Sequence, residues 1–119
     1  MTTGFASPAD DYLEGRLSLD ALLIQDRDST FFVRAKGDSM TGAGIFDGDL
    51  LVVDKSMIPA PGHIVIAVID GDLTVRRLTE CDGEVILKPE NSSFKEIVLK
   101  DAQELQVWGV VTSTIKRFV

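Results

Sequence analysis

From residue 30 onward the chain is a succession of short apolar runs closed by Gly, Asp or Pro. Residues 30–36 carry Phe31, Phe32 and Val33, aromatic and β-branched side chains that suit a pleated surface. Residues 49–54 are a brief apolar run, and residues 63–69 hold the strongly β-forming Ile-Val-Ile-Ala-Val-Ile. Asp70-Gly71 is a two-residue hairpin signal, after which residues 72–78 pair back. Cys81-Asp82-Gly83 marks a further turn and residues 84–87 a returning strand. Pro59 to Gly62 and Pro89 to Ser93 read as loops, and residues 96–99 and 106–118 supply the last strands. Turns about every ten residues predict a mainly β, coiled or barrel-like antiparallel domain.

Two segments depart from that rhythm. Residues 18–24 predict a short helix, with Ser18 as cap, Asp20 near the positive helix end, and Leu19, Leu22 and Leu23 on one face. Residues 1–17 read as an arm, small and turn-prone, either a disordered terminus or a segment that docks on its own domain or a partner through Phe5, Tyr12 and Leu13. The expected organisation is an arm at 1–17 and one β domain at 18–119. The run from Leu105 to Ile115 is long and apolar for the end of a small domain. At a sheet edge it would invite pairing with another chain, which favours a symmetric homodimer; inside the sheet it would not.

Composition narrows the classes. The 119 residues suffice for one core. The charge of −7 and the scarcity of Lys and Arg clusters beyond Arg76-Arg77 and Lys116-Arg117 argue against a direct grip on nucleic acid. No apolar run nears the ~20 residues of a membrane helix, and no secretory signal opens the chain. The single Cys81 fits a reducing cytoplasm, and with one His (His63) neither a metal site nor a cofactor is expected.

The candidate chemistry lies at Gly37-Asp38-Ser39-Met40, in a glycine-rich turn between two strands. Ser39 is placed as a nucleophile would be; it is also what an ordinary turn contains. Gly37, Asp38 and Met40 offer backbone N–H groups as oxyanion donors. Asp47 and Asp49 read as turn-formers, His63 as structural, Cys81 as an incidental thiol, and Trp108 as core or interface. In the strand 73–78, period-two alternation puts Thr74, Arg76 and Leu78 on one face, Val75 and Arg77 on the other. Arg76 reads as a solvated surface cation, a carboxylate anchor, or one half of a catalytic pair with the serine.

At this point the motifs become collectively specific. Gly4-Phe5-Ala6-Ser7-Pro8-Ala9 resembles the cleavage segment of the UmuD family, the SOS mutagenesis proteins related to the LexA repressor's C-terminal domain. Gly37 to Met40 followed by Gly48 to Asp54 resembles the nucleophile segment, and Leu73-Thr74-Val75-Arg76-Arg77-Leu78 the second catalytic strand. Leu87 to Asn91 and Val107 to Val111 resemble the closing segments. The resemblance implies a serine–lysine self-cleaving peptidase domain of the S24 type, cut in response to the RecA filament on single-stranded DNA. It further implies a cleaved homodimer that joins a Y-family polymerase as the accessory subunit of an error-prone translesion enzyme, polymerase V. The cytoplasm is the expected location.

Two positions depart from the pattern. Ser39 matches the nucleophile, but Arg76 stands where the family's lysine acts as base. Arginine stays protonated and has no lone pair to lend. The scissile bond corresponds to Thr3-Gly4, preceded only by Met1 and Thr2, so the expectation is a chain beginning near the processed start. Enzymatic activity is left open with cleavage disfavoured; the competing readings are an active peptidase acting on a partner's arm and the dimerisation domain of a repressor.

Overall fold

The computed structural model describes residues 18–99 and 105–119. Ser18 caps the helix as its sequence requires: its Oγ accepts from the Ala21 N–H at 3.1 Å, and α1 spans Leu19–Leu23. The helix buries none of its residues; Leu19 and Leu22 are 63% and 59% exposed. Of the apolar face legible in the sequence, Leu19 and Leu22 are therefore left largely uncovered, while Leu23 is half-buried. Asp26 caps the following 3-10 turn, Arg27–Ser29, accepting from the Asp28 N–H and the Ser29 hydroxyl.

The described strands are β1 (Thr30–Arg34), β2 (Leu50–Asp54), β3 (Ile64–Ile69), β4 (Asp72–Cys81), β5 (Glu84–Lys88), β6 (Ile97–Leu99) and β7 (Val107–Ile115). They form one antiparallel sheet in the order β1-β2-β7-β3-β4-β5-β6. The mainly β expectation holds, and the sheet is open, with β1 and β6 at its edges. Both β4 hairpins turn on an Asp-Gly pair with positive φ, 50° and 82° at Asp70-Gly71 and 52° and 81° at Asp82-Gly83. That left-handed pair matches the right-handed twist of the flanking strands.

The unbroken apolar run of β3 has a physical reason. Ile66 enters one core cluster with Ala35, Met40, Ile45, Leu51 and Val53. Its neighbours Val65 and Ala67 enter the other, with Leu78, Val85, Leu87 and Val110. A strand buried on both faces has no polar side to alternate with.

β7 is not an edge: it lies between β2 and β3, pairing Leu51 with Thr114 and Val65 with Val110. Its apolar length is absorbed by two neighbouring strands, and the edge-pairing argument for a homodimer falls with it.

Candidate active site

The Ser39 turn follows β1, where Ala35 closes against Asp49 and Gly48. Gly37, at φ +83°, reverses the chain. Met40, 2% exposed, is set into the first core cluster. A 3-10 turn, Thr41–Ala43, follows, with Gly44 N–H on the Thr41 carbonyl. The buried Met40 anchors the turn, while Ser39 beside it is half-buried at a cleft.

The loop between β5 and β6 clamps this turn from outside. Glu90 N–H donates to the Ser39 carbonyl at 2.8 Å, and Gly42 N–H to the Glu90 carbonyl at 2.7 Å. Asn91 Nδ2 donates to the Asp38 carbonyl at 2.8 Å. A Cβ built on Gly42 would stand 2.6 Å from the Glu90 carbonyl oxygen, so only glycine admits this approach without displacement. Arg77 holds Glu90 in turn, with Nε 2.7 Å from Oε1 and Nη1 donating to the Gly62 carbonyl. The sequence shows Pro89 to Ser93 as a loop and Leu87 to Asn91 as part of a family pattern, but not what that loop grips. Its clamping contacts bridge about fifty residues of chain and have no local signature.

Arg76 enters from β4. Its Nη1 donates to Ser39 Oγ at 2.7 Å and to the Val75 carbonyl at 2.7 Å. The guanidinium carbon lies 5.9 Å from the Phe94 ring centroid. Arg76 Nε is enclosed and has no hydrogen-bond partner among the described residues. Burial pulls the guanidinium pKa below the ordinary arginine value, yet arginine starts so high that it keeps its proton. Ser39 and Arg76 line one cleft of about 540 Å³, bounded by the end of β1, the Ser39 turn, the start of β4 and Phe94.

Neither Lys55 nor Lys36 is hydrogen-bonded to Ser39. Lys55 Nζ lies 4.7 Å from the Trp108 ring centroid and 5.8 Å from that of Phe31. Lys36 lines the cleft but makes no hydrogen bond to Ser39. Ser39 Oγ accepts from the Arg76 cation, and among the described residues nothing accepts the serine proton, so no general base for Ser39 stands among them.

Residues 1–112 match the family model described as Peptidase S24-like. The chain is 46% identical over 114 residues to Protein SamA of Salmonella typhimurium, covering 96% of this chain and 79% of that protein. It is 45% identical over 114 residues to Protein ImpA of Escherichia coli, covering 96% and 77%. With Protein MucA of Escherichia coli it shares 36% over 116 residues, covering 97% and 79%. The chain belongs to the S24-like peptidase family. The resemblance to the UmuD branch thus rests on similarity along the whole chain as well as on motifs.

Within this S24-like domain the oxyanion expectation narrows. The Gly37 N–H is taken by Asp47 Oδ1 at 2.8 Å and is withdrawn as a donor. Asp47 acts as a turn-former, and Asp49 does likewise by accepting from the Phe46 N–H. The N–H groups of Asp38, Ser39 and Met40 have no acceptor among the described residues. His63 Nδ1 accepts from the Ala60 N–H, and Cys81 is an exposed thiol. Trp108 packs beside the first core cluster, 5.7 Å from the Phe31 ring centroid. The Thr3-Gly4 pair and the anchors Phe5, Tyr12 and Leu13 lie outside the described residues. Among the described residues no helix is long and apolar enough to cross a membrane, and no cluster of His, Cys, Asp and Glu is placed to hold a metal ion.

Proposed function

We propose that this chain is a UmuD′-like accessory subunit of an error-prone translesion polymerase of the polymerase V type, acting in the SOS response. On this reading it works in the cytoplasm as a homodimer bound to a Y-family polymerase, at RecA-coated single-stranded DNA. Its peptidase site is a retained scaffold without chemistry: Ser39 is the nucleophile position, Arg76 the base position, Thr3-Gly4 the equivalent of the scissile bond. The arm at 1–17 and the domain at 18–119 are separate in role. The observation that carries the reading is the guanidinium 2.7 Å from Ser39 Oγ, in a chain whose relatives SamA and ImpA match it almost throughout. A charge of −7 supports contact with protein partners over a direct grip on DNA.

The test is lesion bypass. Purified chain, a Y-family polymerase catalytic subunit and a RecA filament are combined on a primed template with an abasic site. Extension past the lesion that depends on the chain, and that Ser39→Ala leaves intact, is the expected result. Loss of bypass in folded Ser39→Ala shows that serine chemistry is required, and no bypass with any of these chains removes the accessory role.

A further inference from the structure

We infer that Arg77, the neighbour of Arg76 on β4, is the positioning residue of the Ser39 turn, acting through Glu90. The inference rests on the reading above that Ser39 stands at the nucleophile position. It deepens that reading by naming what ties the serine turn to the sheet.

The contacts start from the sheet. Arg77 is registered against Ile64 on β3 and against Lys88 on β5. Lys88 is the last residue of β5, so Arg77 stands where the chain leaves the ladder for the loop. Two residues on, Glu90 directs both main-chain groups at the serine turn. Its N–H donates to the Ser39 carbonyl, and its carbonyl accepts from the Gly42 N–H. One residue thus spans the turn from Ser39 to Gly42. Among the described residues, no main-chain hydrogen bond ties Glu90 to the sheet. Its side chain makes that tie, with Oε1 accepting from Arg77 Nε at 2.7 Å. Arg77 Nη1 donates at 2.7 Å to the Gly62 carbonyl, so two separate acceptors fix the guanidinium. A planar fork with donors in set directions suits that double hold.

Consecutive residues of β4 therefore reach Ser39 by different routes. Arg76 donates to its Oγ, and Arg77 works through Glu90 on its carbonyl. Exposure separates this role from one in stability. The Arg77 and Glu90 side chains are 33% and 35% exposed, and an ion pair so open to water adds little to folding. A displaced Ser39 carbonyl moves the nucleophile itself, and reaction rate falls steeply with misplacement.

The test is a double-mutant cycle on Arg77→Met and Glu90→Ala, in which methionine keeps an apolar stem at residue 77. Amide exchange is followed in the unaltered chain, the two single variants and the double variant. Each single variant should speed exchange at the Gly42 amide by at least about tenfold, leaving the Val65 and Ile66 amides of β3 unchanged. The double variant should match the single ones, because one residue acts through the other. Unchanged exchange at Gly42, an equal rise across β3, or single effects that multiply in the double variant overturns the assignment. Rate gives a second reading in an Arg76→Lys chain that cleaves in trans. There Arg77→Met should lower kcat by about tenfold with KM within about twofold. An unchanged kcat, or a loss confined to KM, also overturns the assignment. Absence of cleavage by Arg76→Lys sinks the silenced-peptidase reading alone, and the exchange cycle then decides the role of Arg77.

Discussion

The two walls of the Ser39 cleft are built to different standards. The serine wall is over-determined: Met40 is sunk in the core, Asp47 takes the Gly37 N–H, and Glu90 and Asn91 grip the neighbouring carbonyls of Ser39 and Asp38. The β4 wall brings one cation to the serine and leaves its Nε without a partner. A turn that only connected two strands would not need such a clamp. On the proposed reading, the first wall is the nucleophile scaffold and the second holds the position of a replaced base.

The largest stability effect should come from breaking the serine wall. Gly42→Ala drives a Cβ into the Glu90 carbonyl and should cost about 2–3 kcal/mol, read from the urea midpoint. A loss below about 0.5 kcal/mol would show the clamp to be slack. Asn91→Ala removes the bond to the Asp38 carbonyl and should cost about 1 kcal/mol. Combined with Arg76→Lys, it should reduce any restored cleavage by about tenfold, because a misplaced nucleophile loses rate faster than the fold loses stability. On the other wall Ser39→Ala deletes one acceptor of a guanidinium that keeps the Val75 carbonyl, and the unfolding midpoint should fall by less than that of Asn91→Ala.

The smallest effect concerns pH and lies away from both walls. The Asp54 carboxyl is held below its ordinary pKa by the Ser56 hydroxyl and amide, and Asp49 by Lys116 and the Phe46 N–H. A depressed folded pKa contributes stability above the unfolded value, near 3.8, that is lost as pH falls through the folded value. Urea midpoints should therefore be insensitive to these two groups between about pH 7 and pH 5 and decline below about pH 4. Asp54→Asn should flatten that acid decline, and an unchanged decline would remove Asp54 from the account.

The hairpins and strand runs were legible because their signals are local: Asp70-Gly71, the Ile-Val-Ile-Ala-Val-Ile run, the Ser18 cap. The central place of β7 was not, because strand order is decided by which neighbours bury a face, and no local residue encodes that. Ser39 and Arg76 were legible through family motifs, and the geometry puts them in contact. The occupant of the Gly37 amide and the grip of Glu90 and Asn91 were hidden, since their hydrogen bonds join positions ten to about fifty residues apart in the chain. The exposed Leu19 and Leu22 show the limit of periodicity, which finds an apolar face without finding what covers it.

The central claim is that one residue separates this site from a working peptidase, and the direct measurement is cleavage in trans. The Arg76 chain and its Arg76→Lys variant are each mixed with an arm-bearing precursor whose own serine is alanine, and intact masses are followed over time. The account predicts cleavage by the lysine variant alone, faster than the arginine chain by at least about a hundredfold, the usual contribution of a general base. Equal cleavage by the unaltered Arg76 chain would contradict it and would mean that another base serves Ser39.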